Sequence, residues 1–352
     1  MELSSGIQKM SVGQQPAGKG ASCKRSKANC SGFQPHSWRK QCESCQCPRE
    51  DHFLPSDLEE DCRIGHLLSD SRYSGLTARM KGVEGARVYK RNRMIITNPI
   101  TSGKDPTFLT VTYEWAPPGL NQKLAMQYME LIPKNMQPVA GTEGARYRRV
   151  QLLRQLPPYD HNPDLCQGLS ELDRTAMQDF VKRYKEQALG VAEVALPCSA
   201  KQQVEKDGSK SKETNGTAKE AFEKNEYFCE MCQQPLSRDA PAVYAERAGF
   251  DKQWHPACFM CCQCREPLVN LIYFWKNKSL WCGRHYCESE RPRCAGCDQI
   301  IFSEDYEQVD SSYWHPHHFS CTGCDQTLTG KPYTLEKSQP LCDPCSHSKG
   351  AH

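Results

Sequence analysis

The chain contains 352 residues, a length that predicts two to four domains at roughly 100–200 residues each. Hydrophobic residues make up only 38% of it, so one large continuous core is not expected. No apolar run approaches the ~18 residues that a membrane-spanning helix needs, which predicts that the chain is not an integral membrane protein. The N-terminal residues contain no apolar stretch, and we therefore expect no secretory signal.

Cysteine is the most informative residue type in this composition. The chain has 22 cysteines and 11 histidines. Thiols stay reduced in the cytosol and nucleus, so a chain without a secretory signal is not expected to form disulfides. Cysteine and histidine pairs at suitable spacing then predict metal binding.

Composition divides the chain into six predicted regions, which together indicate a small multidomain fold. Two regions are expected to be disordered or flexible, because they are rich in small and polar residues. The central region is predicted to be helical, and the C-terminal part contains two copies of one repeat. The regions are a disordered N-terminus (1–22), a cysteine-rich and basic region (23–93), a helical domain (94–198), a flexible linker (199–226) and the two repeats (227–288 and 292–347).

Three helices are predicted within residues 94–198. Asn121 can cap the first helix, which Pro133 ends, because proline has no backbone N–H and its ring clashes with the preceding turn. A second helix is predicted over about 142–156. Ser170 can cap the third helix, in which apolar residues recur at helical spacing, and Gly190 is a suitable stop.

The cysteine-rich region holds a loose cluster of metal-type side chains. Cys42 and Cys45 have the two-residue spacing of a metal-binding pair. Cys23 and Cys30 are too far apart to form such a pair. A histidine or a further cysteine would complete a fifth zinc site, and the alternative is free thiols in a mobile segment. The cluster consists of Cys23, Cys30, His36, Cys42, Cys45, Cys47 and His52.

A basic run lies at the end of the same region. It permits two interpretations, a nuclear localisation signal or a solvated charged loop. The run consists of Arg87, Lys90, Arg91 and Arg93.

Each copy of the repeat contains four pairs of metal-type residues, and two residues separate the members of each pair. Such a pair lies on one tight turn, and both members can point at one ion, with zinc–sulfur bonds of about 2.3 Å. A tetrahedral zinc needs two pairs, so the two copies provide four sites. Sequential pairing requires less crossing of the chain than an interleaved pairing, which the spacing does not exclude. The sequential sets are Cys229, Cys232, His255 and Cys258; Cys261, Cys264, Cys282 and His285; Cys294, Cys297, His315 and His318; and Cys321, Cys324, Cys342 and Cys345.

The four sites are predicted to hold structural zinc. Every site has four protein ligands and no open position for water, so hydroxide or Lewis-acid chemistry is not expected. The chain is therefore predicted not to be an enzyme. Domains of about sixty residues bury too little apolar surface to be stable alone, and metal binding supplies the missing free energy.

Several residues of the repeat are predicted not to bind metal. Cys262 lies next to a ligand, but its use would break the pair spacing, so Cys262 and Cys287 are expected to be free thiols. Phe259 and Phe319 lie in the joints between paired sites and are predicted to pack the two halves of each repeat together. Residues 273–275 are predicted to form a core strand.

The repeat region is acidic, although the whole chain has a formal charge of +3. Residues 227–352 contain 12 Lys and Arg against 15 Asp and Glu. Zinc-bound thiols are deprotonated, so the four sites add about −4 and bring this region to about −7. Binding to duplex DNA depends on neutralising its phosphates with basic side chains. The charge therefore predicts protein partners and no direct contact with nucleic acid.

The repeat resembles the LIM domain, whose ligand order and two-residue joint it reproduces in both copies. The region before the linker resembles a PET domain, and a PET domain followed by LIM domains is the arrangement of the testin and prickle proteins. The chain is therefore identified as a member of the PET/LIM family, although those proteins carry three LIM domains and this chain carries two. The PET resemblance lies in Asn98-Pro99, Tyr113-Glu114-Trp115-Ala116-Pro117-Pro118-Gly119, residues 128–133 and Gly141-Thr142-Glu143-Gly144.

The resemblance implies both a fold and a function. The expected fold is a helical PET domain followed by two zinc-stabilised LIM domains, which consist of short β-hairpins and close near a short helix. The expected function is a non-enzymatic adaptor of cytoplasm and nucleus that binds transcription factors, GATA-type zinc-finger factors among them. Such an adaptor would repress transcription by hindering their binding to DNA. The alternative is a cytoskeletal or adhesion scaffold, as the testin relatives are.

Overall fold

The computed structural model describes residues 18–26, 30–80, 82–83, 85–100, 107–197, 227–249, 251–336 and 338–349. Most of the predicted disordered N-terminus and all of the predicted linker lie outside these ranges. The chain forms two units, of which the larger spans Ser56–Arg291 and the smaller combines the residues up to Pro55 with those from Pro292. Within the described ranges, no helix is long and apolar enough to cross a membrane.

The larger unit begins with helix α1 (Asp57–Leu68), where the sequence pattern predicts no helix. The side chain of Ser56 accepts a hydrogen bond from an N–H of the first turn, which satisfies one of its free donors. The helix packs against the hairpin of β1 (Thr77–Arg79) and β2 (Arg87–Tyr89). Gly65 permits this approach, because a Cβ there would lie 2.4 Å from a carbonyl oxygen of β2.

The basic run begins in β2 and continues beyond it, and part of it has a structural role that its sequence context does not predict. The Arg91 side chain is 2% exposed, and its guanidinium forms ion pairs with carboxylates of α1 at 2.7, 2.9 and 3.4 Å. Arg93 is half exposed and forms an ion pair with the same helix. A solvated loop is therefore the wrong description of Arg91, whose burial is possible because α1 supplies compensating charges. The carboxylates belong to Asp57, Glu60 and Asp61.

A β-hairpin and three helices follow. The hairpin pairs β3 (Met94–Ile100) with β4 (Thr107–Tyr113), and the sequence pattern does not predict it. The helices confirm the three predicted ones and are α2 (Gln122–Glu130), α3 (Glu143–Gln155) and α4 (Glu171–Gln187). Their N-caps are Asn121, Thr142 and Ser170, and each cap side chain accepts the backbone N–H three positions further on.

Two short strands after α4 join the sheets of the first repeat. They are β5 (Leu189–Val191) and β6 (Glu193–Ala195). The repeat itself consists of β7 (Tyr227–Phe228), β8 (Pro235–Leu236), β9 (Ala242–Tyr244), β10 (Gln253–Trp254), β11 (Ile272–Lys276), β12 (Ser279–Trp281) and helix α5 (Gly283–Glu290). The strand orders are β12-β11-β5 and β10-β9-β6, with antiparallel pairing. The helical region and the first repeat therefore share two sheets, although the linker separates them in sequence.

Gly190 has a different role from the predicted one. Helix α4 ends at Gln187, and Gly190 lies within β5, where a Cβ would be 2.1 Å from the ring of Tyr273. Tyr273 and Phe274 of β11 are fully buried, which confirms the predicted core strand. The ring of Tyr184 on α4 meets that of Phe274 edge-on at 5.3 Å, so one aromatic core extends from the helical region into the first repeat.

The second repeat forms part of the smaller unit and has the same arrangement of short hairpins. The strands β13 (Glu307–Val309) and β14 (Ser312–Trp314) form one hairpin, β15 (Thr334–Glu336) and β16 (Gln339–Leu341) form another, and α6 (Asp343–Lys349) follows. Phe259 and Phe319 are buried in their repeats, as predicted for the two joints.

Short 3-10 turns connect the elements of both units. They cover Arg49–Asp51, Ser74–Leu76, Lys134–Met136, Pro158–Asp160, Pro163–Leu165, Glu246–Ala248, Pro256–Cys258, Val269–Leu271 and Pro316–His318.

Candidate metal centres

Five cysteine pairs form the same tight turn. The residue after the second cysteine has a left-handed backbone, with φ between 57° and 62°, and its N–H donates to the carbonyl of the first cysteine at 2.9–3.0 Å. Four of these turns belong to the two repeats, and the fifth contains Cys42 and Cys45. The N-terminal pair therefore has the backbone geometry of the pairs in the repeats. The left-handed residues are Gln46, Gln233, Arg265, Asp298 and Asp325.

The first repeat brings together two sets of four ligand atoms, and within each set all atoms lie within 4.8 Å of one another. The Nδ1 atom of His255 is 3.4 Å from the Cys232 sulfur. The Nδ1 atom of His285 is 3.1 Å from the Cys282 sulfur. The sets follow the sequential pairing and are Cys229, Cys232, His255 and Cys258, and Cys261, Cys264, Cys282 and His285.

The second repeat also brings its sequential sets together. His315 and His318 approach through their Nδ1 atoms at 3.3 Å, and His315 Nδ1 is 3.5 Å from the Cys297 sulfur. In the other set, the sulfurs of Cys324 and Cys342 are 3.7 Å apart. The sets are Cys294, Cys297, His315 and His318, and Cys321, Cys324, Cys342 and Cys345.

These separations, which run from 3.1 to 3.7 Å, are close to those of a zinc site. A zinc tetrahedron with bonds of about 2.3 Å to sulfur and about 2.05 Å to nitrogen has edges of about 3.4 to 3.8 Å between its ligand atoms. Thiolate and imidazole ligands also match the preference of Zn²⁺ among the common divalent ions. The chain therefore carries Cys/His clusters suited to zinc, and an ion bound there would stabilise the fold of a domain with little apolar core.

A fifth set lies in the N-terminal region and consists of Cys30, Cys42, Cys45 and His52. Its sulfurs from Cys30 and Cys42 are 3.9 Å apart, and His52 Nε2 is 3.5 Å from the Cys30 sulfur and 3.4 Å from the Cys45 sulfur. His52 is buried, and its Nδ1 lies 3.3 Å from the Pro48 carbonyl, which orients the ring. This set satisfies the same test for zinc as the four sets of the repeats.

The N-terminal set differs in part from the sequence prediction. Cys30 has no partner at pair spacing, so its membership is visible only in three dimensions. His36, predicted as a possible ligand, lies outside the set and contacts Asp325 at 3.0 Å instead. Cys23 and Cys47 also lie outside these four residues, although the Cys23 sulfur is 3.9 Å from that of Cys45.

Backbone N–H groups favour the thiolate form at two of these sites. Burial raises the pKa of the Cys42 thiol, but N–H donors outweigh it and lower the pKa to about 6; the Gln34 N–H lies 3.5 Å from the sulfur. Burial also raises the pKa of the Cys321 thiol. The N–H groups of Cys342 and Gly323, at 3.3 and 3.4 Å from its sulfur, outweigh burial and lower this pKa to about 6. The neighbouring N–H groups thus favour the thiolate form, which metal binding requires, at Cys42 and Cys321.

The two spare cysteines of the first repeat lie outside its metal sets. The Cys262 N–H donates to the Leu280 carbonyl at 2.8 Å, and burial together with the neighbouring Cys261 raises the pKa of its thiol to about 11. Cys287 is buried in α5. Neither cysteine belongs to the two metal sets of the first repeat given above.

The chain has the architecture of a PET–LIM adaptor. Its helical region shares two sheets with the first zinc-type repeat and precedes the second repeat in sequence. A family model described as PET Domain matches residues 94–195, and a LIM domain model matches residues 229–290 and 294–350. The chain is 58% identical to LIM and cysteine-rich domains protein 1 of Sus scrofa over 355 residues, which cover 99% of the chain and 98% of that protein. The Homo sapiens protein of that name is 57% identical over 357 residues, with the same coverage. Testin of Rattus norvegicus is 47% identical over 352 residues, which cover 98% of the chain and 84% of testin.

The chain belongs to the PET/LIM family of LIM and cysteine-rich domains protein 1 and testin. The family resemblance seen in the sequence is thus confirmed. LIM domains are protein-interaction modules, so the chain has the architecture of a zinc-binding interaction adaptor.

Proposed function

We propose that the sixteen paired residues of the two repeats ligate four structural zinc ions, and that the chain is a non-enzymatic adaptor that represses transcription. The support for the first part is that each set offers four protein ligand atoms within 4.8 Å of one another, the number that a tetrahedral zinc ion takes. A site with four protein ligands leaves no coordination position for a substrate or a reactive water. The domain limits proposed with it are 94–198 for PET and 227–288 and 292–347 for the LIM domains.

The observation that carries the repressor proposal is the acidity of the LIM region. Its charge of about −7 with zinc bound opposes contact with nucleic acid and favours a basic protein surface. The zinc finger of a GATA-type factor is such a surface, because it binds phosphates with Lys and Arg. The LIM region would compete with DNA for these side chains, and the factor would leave its site. The proposal places the chain in cytoplasm and nucleus.

A gel-shift titration tests this proposal with the full-length, zinc-loaded chain. A GATA-type zinc-finger protein bound to labelled duplex is mixed with increasing amounts of the chain. Competition depletes the shifted band, whereas a co-activator that rides on the bound factor moves the band higher. The direct complex between the two proteins should also weaken as salt rises, because the contact is electrostatic. A supershift at every ratio would refute the repressor mechanism.

Variants that remove acidic side chains test whether the competition in this titration depends on the surface of the LIM region. Glu304 and Asp305 are exposed acidic residues of the second repeat, and Glu304→Gln with Asp305→Asn removes two negative charges from the proposed docking surface. Asp179 and Glu186 are exposed acidic residues of α4, so Asp179→Asn with Glu186→Gln is the matched control. We expect the first pair to require more protein for the same depletion and the second pair to behave like the unaltered chain. Equal effects would show that net charge, rather than the LIM surface, drives the competition.

A cytoskeletal or adhesion scaffold is the second candidate, and the identity to testin favours it. Fractionation of cells that express the chain separates the two proposals. A pool found entirely with actin structures would support the scaffold, and a nuclear pool associated with factors that have left chromatin would support the repressor.

A further inference from the structure

Residues 35–42 form a small antiparallel hairpin in the N-terminal part of the smaller unit. Pro35 and Cys42 are bridged at its base, and the His36 N–H donates to the Gln41 carbonyl at 3.1 Å. Cys42 is also a member of the N-terminal metal set. An ion bound by that set would therefore hold the base of the hairpin.

A tight turn presents two large side chains at the tip of this hairpin. The backbone N–H groups of Trp38 and Arg39 both donate to His36 Nδ1, at 3.3 and 3.2 Å. The Arg39 guanidinium lies over the indole ring of Trp38, 4.3 Å from its centroid. Trp38 and Arg39 thus form one stacked aromatic–arginine pair.

The indole of Trp38 lies on the second repeat. It stacks on the imidazole of His318 with a centroid distance of 4.7 Å and an angle of 11° between the rings. It also packs against the cluster of Cys294, Cys297 and Ile301. A Cβ at Gly296 would lie 2.8 Å from the indole, so glycine leaves the space that the ring fills.

Arg39 completes the contact through a carboxylate of the other half of the repeat. Its Nη2 and Nε atoms donate to Asp325 Oδ1 at 2.6 and 3.1 Å, and His36 Nε2 lies 3.0 Å from Asp325 Oδ2. The side chains of Arg39 and His36 are only 9% and 11% exposed, because the repeat covers them. The two hairpin residues thus converge on one carboxylate that lies 286 positions away from Arg39 in sequence.

The two surfaces are complementary in charge. Residues 18–55 contain seven Lys and Arg against three Asp and Glu, a formal charge of +4. Residues 292–352 contain four Lys and Arg against eight Asp and Glu, a formal charge of −4. Opposite charge favours this pairing over other partners, and Trp and Arg are the side chains that most often dominate the affinity of an interface.

We propose that the face of the second repeat formed by Gly296, His318 and Asp325 is a binding site for an aromatic–arginine pair, and that the chain fills it with its own Trp38 and Arg39. Zinc at the N-terminal set keeps the hairpin in the conformation that fits this site. Loss of that metal releases the hairpin tip and opens the face of the repeat. The proposal does not depend on the identity of the partner discussed above.

Hydroxyl-radical footprinting of the full-length, zinc-loaded chain tests this proposal. The readout is the oxidation of Trp38 relative to Trp314, which is buried in the second repeat and reports whether the repeat stays folded. Arg39→Asp and Asp325→Arg should each raise Trp38 oxidation severalfold. The double variant, Arg39→Asp with Asp325→Arg, should restore protection, because it recreates the ion pair in reverse. Lys24→Asp, the same charge reversal at an exposed lysine of the segment, should leave the ratio unchanged.

Cys30→Ser tests the role of the metal, because Cys30 belongs to the N-terminal set but not to the hairpin. Native mass spectrometry should show one zinc ion fewer, and Trp38 oxidation should rise while that of Trp314 does not. Protection of Trp38 after the ion is lost would overturn the link between metal and hairpin. Single charge reversals without effect, or a double variant that stays open, would overturn the binding site itself.

Discussion

Truncation of Arg91 to alanine tests whether the basic run is structural. The guanidinium, 2% exposed, pairs with Asp57, Glu60 and Asp61, and breaking a buried pair typically costs 3–5 kcal/mol. Two features place the expected cost at the lower end, about 3 kcal/mol. Glu60 keeps an ion pair with Arg148 at 3.4 Å, and Asp57, about one-third exposed, keeps its ion pairs with Arg93 and Arg149. Of the three carboxylates, Asp61 is therefore the one that loses its ion-pair partner while largely buried.

The matched control is Arg93→Ala. Arg93 also pairs with Asp57, but its side chain is 47% exposed, and exposed pairs contribute only about 0–1 kcal/mol. Hydrogen exchange of the full-length chain measures both effects on the slowest amides of α1. At 1.36 kcal/mol per factor of ten, Arg91→Ala should accelerate their exchange by about two orders of magnitude and Arg93→Ala by about fivefold or less. Equal effects of the two variants would refute the assignment of a buried structural role to Arg91.

Three further predictions concern the shared sheet and the metal sites. Gly190→Ala should destabilise the pairing of β5 with β11 by about 1–3 kcal/mol, because the new methyl group collides with Tyr273. The control Gly75→Ala has open space around it and should not destabilise this pairing. Hydrogen exchange of β5 and β11 measures the difference between the two variants. Native mass spectrometry of the full-length chain should show five zinc ions, and a count of four would contradict the N-terminal site. Cys261→Ser should lose one ion and Cys262→Ser none, and the reverse result would show that the ligand assignment is wrong at this pair.

Features that depend on neighbouring residues are predictable from the sequence of this chain. The caps at Asn121 and Ser170 act within three residues, and both helices begin where these side chains predict. The helix predicted from about residue 142 begins after Thr142, which caps it in the same way. A pair such as Cys229 and Cys232 lies on one turn, so its spacing alone predicts that both sulfurs face the same side. The repeat of these pairs indicates the fold class and the metal.

Contacts between distant segments were decided only by the tertiary structure. Cys30 has no neighbour at pair spacing and reaches the N-terminal set because the chain folds back on itself there. The local signal of Gly190 suits a helix stop, but its place in β5 is set by the ring of Tyr273 in the first repeat. Arg91 has the sequence context of a solvated loop and is buried because α1 carries the charges that compensate it. In each case the deciding partner lies more than twelve residues away or in another element, where neither spacing nor periodicity carries information about it.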